Sequence, residues 1–127
     1  MDLFSLKGKN IAITGASSGF GHHFAGVLSA AGANVILGAR RADKIADRVS
    51  EINQSGGQAL GIPLDVTIPD SCADFLHQAE EAFGPVDVLI NNAGVEAGAK
   101  TYAMIDEDDW DFVLDTNLKS VWRLSKM

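Results

Sequence analysis

Cysteine occurs once in the 127 residues, as Cys72, so no intrachain disulfide can form and a reducing, cytoplasmic setting is expected. Cations are scarce. Ten Lys and Arg face 17 Asp and Glu, which gives a formal net charge of −7 and a pI near 4.7. No basic cluster exists of the kind that neutralises phosphates along a nucleic acid, so nucleic acid is not an expected partner. No window approaches the roughly 18 apolar residues of a membrane span, and Met1 to Leu6 lacks the basic stretch and apolar core of a secretory leader. Neither a bilayer nor export is expected. Proline-rich or low-complexity linkers are also missing, and 127 residues leave room for one domain, taken as 1–127. What is present, 46% apolar and 21% charged residues, is enough to bury a core.

Short apolar runs alternate with helical patterns. Asn10 to Thr14 is β-branched and ends at a glycine, as a buried parallel strand would. Phe24, Val27, Leu28 and Ala31 then recur at helical spacing, stopped by Gly32. A second unit has Val35 to Leu37 as strand core and Ile45, Val49 and Ile52 along a helix closed by Gly56-Gly57. A third runs from Ala59 to Leu64 as strand into a helix with Cys72, Phe75, Leu76, Ala79 and Phe83 on one face, ended by Gly84-Pro85. Thr67 to Asp70 fits a capping box at the start of that helix, with Thr67 as N-cap. Val86 to Ile90 is the fourth strand, and Asp106 to Asp109 reads as the acidic first turn of a last helix. Strand starts near 10, 34, 59 and 86 lie 24, 25 and 27 residues apart, without a recurring repeat consensus. The expected fold is therefore α/β, a doubly wound parallel sheet of Rossmann type with right-handed crossovers.

Directly after the first strand stands Thr14-Gly15-Ala16-Ser17-Ser18-Gly19-Phe20-Gly21, which opens the first helix. A glycine-rich loop alone marks only a tight turn. At this place in a βα unit it can seat the pyrophosphate of a dinucleotide on exposed N–H groups. Gly15 would permit the turn, Gly19 the approach of backbone to phosphate, and Gly21 the close packing of helix on strand.

The spacing G-x-x-x-G-x-G resembles the short-chain dehydrogenase/reductase family, as do three further segments: Leu64-Asp65-Val66, Asn91-Asn92-Ala93-Gly94 and Asp115-Thr116-Asn117-Leu118. The resemblance runs from about Leu6 to the last residue and corresponds to the first half of such an enzyme. Phe20 stands where the family has Ile or Leu. The resemblance implies a nicotinamide-dependent oxidoreductase acting on a small carbonyl or alcohol. Ser17, Ser18 and Phe20 would accompany the glycines in the cofactor loop. Asp65 and Val66 would border the adenine; Asn91, Ala93 and Gly94 would line the cofactor beside its sugars. Asn117 would belong to the catalytic tetrad. Strand-end capping is the alternative for Asp65 and Asn91. Asn117 also falls inside the apolar stripe Trp110, Val113, Leu114, Leu118, Val121 and Leu124, a core position where its amide would need partners.

Charge decides between cofactors. An NAD site carries a carboxylate about 20 residues beyond the glycine motif for the ribose 2′-OH, whereas arginine there accommodates the 2′-phosphate of NADP. Here Ala39-Arg40-Arg41 occupies that place, so NADP is favoured over NAD, the alternative being two solvated arginines before the second helix.

His22-His23 and His77 lack metal-ligand spacing and read as surface or helix-start residues, so no metal is expected; Cys72 reads as inert core. The family's acid–base centre is a Ser with a Tyr-x-x-x-Lys motif. The one tyrosine, Tyr102, is followed four residues later by Asp106. The chain is thus expected to be incomplete at its C-terminus and inactive alone: either the cofactor-binding half of an oxidoreductase or a module that holds NADP without turnover. Together with Trp122 the apolar stripe of the last helix is wider than one core contact requires, and a homo-oligomer is expected.

Overall fold

Asn10–Thr14 (β1), Asn34–Ala39 (β2), Gln58–Pro63 (β3) and Val88–Ile90 (β4) form one sheet in order β3-β2-β1-β4, in a computed structural model that describes residues 2–127. All three pairings are parallel, with Ile11 opposite Val35 on one side and Val88 on the other. Each crossover is a helix: Gly19–Ala30 (α1), Asp43–Gln54 (α2) and Pro69–Phe83 (α3). Because successive strand residues point to opposite faces, β1 and β2 feed two cores. Ile11, Ile13, Val35 and Leu37 pack with Ala25, Ile45 and Ile52 of α1 and α2. Ala12 and Ile36 pack with Cys72, Phe75 and Ala79 of α3 and with Leu124 near the chain end. The sheet is doubly wound, as its alternating pattern requires. Strand order reverses beside β1, and a ligand crevice is expected there, outside the carboxyl ends of the strands.

Four sequence expectations need correction. First, β4 is shorter than Val86 to Ile90, and Val88 is exposed because no strand among the described residues covers its outer side. Second, the N-cap of α3 is Ile68, without a side-chain cap bond. The Thr67 hydroxyl and N–H instead donate to Asp65 Oδ1 at 2.6 and 2.9 Å. Third, Val27, placed on the apolar face of α1, is exposed. Fourth, the last helix is not one regular α-helix. Glu107–Leu114 (α4) passes through a π turn, Asp115–Lys119, into Ser120–Lys126 (α5). A π turn adds a residue to the helical repeat and so rephases every side chain after it. The buried residues here are Thr116, Ser120 and Leu124, four apart, while Trp110, Leu114 and Leu118 of the apolar stripe are exposed. The acidic start of α4 is as expected, Asp106 and Asp109 forming a reciprocal capping box. No helix among the described residues is long and apolar enough to cross a membrane.

Candidate functional site

The loop between β1 and α1 is shaped by what its glycines leave out. Gly15 has φ +62°, and a Cβ there would stand 2.8 Å from the Ala93 Cα. Gly19 has φ +58° with nothing within 4 Å of where its Cβ would be, so its backbone lies open to a ligand. At Gly21 a Cβ would meet Gly15 O at 2.7 Å, which holds α1 close to the strand end. Ser18 is the N-cap but makes no side-chain cap bond, and the first turn carries no carboxylate. The first N–H groups of α1 therefore present an uncompensated positive end suited to an anion.

The end of β4 is tied to this loop by residues that sequence reasoning passed over. The Thr14 hydroxyl accepts from the N–H groups of Asn92 (3.0 Å) and Ala93 (2.9 Å). Asn92 Nδ2 donates back to Thr14 O at 3.2 Å and Gly15 O at 3.0 Å. Asn92, not Asn91, is thus the side chain that faces the glycine loop, since adjacent residues leaving a strand point opposite ways. Asn91 lies off the cleft walls; its Nδ2 donates to Ser125 Oγ at 3.3 Å and its buried Oδ1 has no partner.

Between the loops after β1, β2, β3 and β4 opens a cleft of about 530 Å³. The structure gathers Gly15, Ser17, Ser18, Arg40, Arg41, Asp65, Val66, Ala93 and Gly94 around it. It leaves Gly19, Phe20, Gly21 and Asn117 off the walls, with Phe20 exposed and stacked on Phe24. Walls that were not foreseen are Lys44, Thr67, Asn92, Val95, Phe112 and Thr116. Asp65 lines the cleft, and its Oδ1 also accepts from Thr67 in the local turn, the capping alternative. Arg41 Nη2 lies 3.7 Å from Asp43 Oδ2, with both side chains mostly in solvent.

Asn117 is not a core residue. It is exposed within the π turn, where its Oδ1 accepts from Val95 N–H at 2.8 Å and its Nδ2 donates to Val95 O at 2.7 Å. The argument from burial therefore does not apply to it; the π turn sets the amide against the loop after β4. The neighbouring Thr116 lines the cleft, buried, with its hydroxyl unpartnered. Arg123 Nη1 donates to Val66 O at 2.7 Å and so ties α5 to the opposite wall. Beneath that wall Cys72 is fully buried, and burial pushes its thiol up, away from the reactive thiolate. His23 and His77 are exposed and His22 is half-buried; among the described residues no three His, Cys, Asp or Glu side chains gather as metal ligands.

Known proteins share the fold and much of the sequence. The family model described as short chain dehydrogenase matches residues 9–127. The 5-keto-D-gluconate 5-reductase of Escherichia coli is 35% identical over 125 residues, 98% of this chain and 49% of its own. The 3-oxoacyl-(acyl-carrier-protein) reductase of Salmonella typhimurium is 40% identical, over 96% of this chain and 48% of its own. A metagenomic short-chain oxidoreductase, solved in complex with NADP, superposes with a TM-score of 0.89 at 35% identity, over 95% of this chain and 55% of its own. The chain spans about half the length of the curated relatives it matches.

Proposed function

The chain belongs to the short-chain dehydrogenase family, and from that premise we propose that it is the cofactor-binding half of an NADP-dependent oxidoreductase acting on a small carbonyl or alcohol. The observation that carries the choice of cofactor is the pair Arg40 and Arg41 on the cleft wall at the end of β2, where no carboxylate follows the strand directly, in a chain of net charge −7. Guanidinium forks suit a phosphate ester and have no match in a ribose hydroxyl. The fit of a dinucleotide is supported by the open backbone at Gly19, the uncapped start of α1 and the polar walls of the cleft.

Within this reading the chain's residues hold and orient. The α1 N–H groups and Ser17 and Ser18 take the pyrophosphate. Asp65 and Val66 border the adenine, and Ala93 and Gly94 lie beside the sugars. Bound NADPH would supply the hydride. Asn117 is assigned to the catalytic set that the family implies, its amide fixing Val95 and hence the loop beside Gly94. We further propose a cytoplasmic homo-oligomer, supported by the single cysteine and by the exposed Trp110, Leu118 and Trp122.

The cofactor is tested by fluorescence titration of wild type and the double variant Arg40→Ala, Arg41→Ala. Loss of charge-assisted hydrogen bonds should weaken NADPH by about tenfold or more and leave NADH nearly unchanged. Equal losses for both cofactors would falsify the assignment.

A further inference from the structure

The cationic wall of the cleft contains one residue that the arginine pair does not explain. Lys44, in the first turn of α2, lines the cleft with Arg40 and Arg41. Its N–H donates to Arg41 O at 3.1 Å, so the chain doubles back and sets the three cations on one turn. Arg41 is shared: Asp43 lies 3.7 Å away in an ion pair that is 66% and 72% exposed on its two sides. Lys44 makes no ion pair among the described residues.

A phosphate monoester offers three peripheral oxygens and close to two negative charges, more than one guanidinium fork can satisfy. An ammonium on a flexible stem acts there as a point charge that can swing onto the remaining oxygen. An exposed arginine–carboxylate pair is weak and yields readily to a dianion, yet the carboxylate stays nearby and repels it. Resting on the NADP reading, we propose that Lys44 is a specificity-determining residue for the 2′-phosphate and that Asp43 opposes it by competing for Arg41. The site is thus tuned by two adjacent residues of opposite charge, both outside the arginine pair.

The test uses the full chain and its own tryptophan fluorescence, titrated with NADPH and with NADH, in wild type and in Lys44→Gln, Lys44→Arg and Asp43→Asn. Circular dichroism melts check that each variant is folded. Lys44→Gln should weaken NADPH about tenfold and NADH by less than about twofold, as loss of one charge-assisted contact predicts. Lys44→Arg should retain most of the NADPH affinity. Asp43→Asn should tighten NADPH about threefold, the scale of an exposed ion pair. If wild type binds NADPH no more tightly than NADH, the NADP reading fails and this inference with it. If wild type prefers NADPH and Lys44→Gln leaves that preference intact, or weakens both cofactors equally, this inference alone is overturned. An Asp43→Asn variant without tighter NADPH binding removes the opposing role of Asp43.

Discussion

β1 and β4 are neighbours in one parallel sheet, yet every residue of β1 is buried and none of β4 is. β1 has a strand on each side and helices over both faces. Among the described residues β4 has one neighbour, and α4, which follows it, buries no residue. The helices repeat the contrast. α3 hides Cys72, Phe75 and Ala79, whereas Trp110, Phe112, Leu118 and Trp122 stand exposed along the last helical stretch. Apolar composition is similar in the two regions, so what separates them is the presence of an opposing layer. A core exists where two layers meet, and the cleft sits where the closed region gives way to the open one.

The largest expected effect sharpens that contrast. Phe75→Ala removes a fully buried ring and should cost about 3–5 kcal/mol, read from urea unfolding. Trp110→Ala removes a larger, two-ring side chain that is 58% exposed, and should cost less than about 1 kcal/mol. Similar losses at the two sites would mean that the open region is covered in solution and that the contrast is false.

The same division explains what could be read in advance. Ile11 to Ile13 and Val35 to Leu37 are continuous apolar runs because both of their faces are buried, so periodicity and composition agree there. That Gly15, Ser17, Ser18, Arg40 and Arg41 stand at the cleft was legible because place in a βα unit, which the strand positions fix, puts them there. In the open region hydrophobicity misled. The face that packs inward is Thr116, Ser120 and Leu124, and two of these three carry hydroxyls. The π turn that brings them inward leaves no mark in a 3.6-residue pattern. Lys44 and Asn92 were missed for a different reason. Each joins the cleft through the fold, Lys44 by the turn back at Arg41 and Asn92 by bonds to Thr14 and Gly15, contacts that spacing along the chain does not encode.

A middle-sized effect concerns what covers the open region. Val88 on the sheet edge and Trp110, Leu118 and Trp122 on the helix are each exposed, and covering such side chains is what the proposed oligomer would do. Wild type at tens of micromolar should elute and scatter light as more than a monomer, and Trp122→Glu should shift it toward the monomer. A strictly monomeric wild type, unchanged by the substitution, would show that the surface is tolerated in water and that its exposure signals no partner.

The smallest effect is a pH dependence confined to the open region, where surface polar contacts replace a core. Lys100, on the loop after β4, bonds the carboxylate of Asp109 in the first turn of α4, and Asp106 N–H donates to that same carboxylate at 3.2 Å. The bond from Lys100 and then the N–H of Asp106 hold the Asp109 carboxyl below the usual carboxylate range, and the bond to Asp109 holds Lys100 above its ordinary value. The signs follow from linkage. A lowered folded-state carboxyl contributes stability that is complete above the unfolded value and is lost as pH falls through the folded one. A raised lysine contributes stability that is complete below its unfolded value and is lost as pH rises through the folded one. The pair should therefore add a flat increment across the neutral range that fades in acid as Asp109 protonates and in strong alkali as Lys100 deprotonates. Lys100→Met should abolish the increment, so the stability difference from wild type should close toward low pH, and salt should shrink it because the pair lies at the surface. A carboxyl NMR titration should find Asp109 returned most of the way to the usual range in the variant. A stability difference that persists undiminished in acid would show that Lys100 holds the loop through its hydrocarbon stem rather than through its charge, and that even the open region has a packed contact.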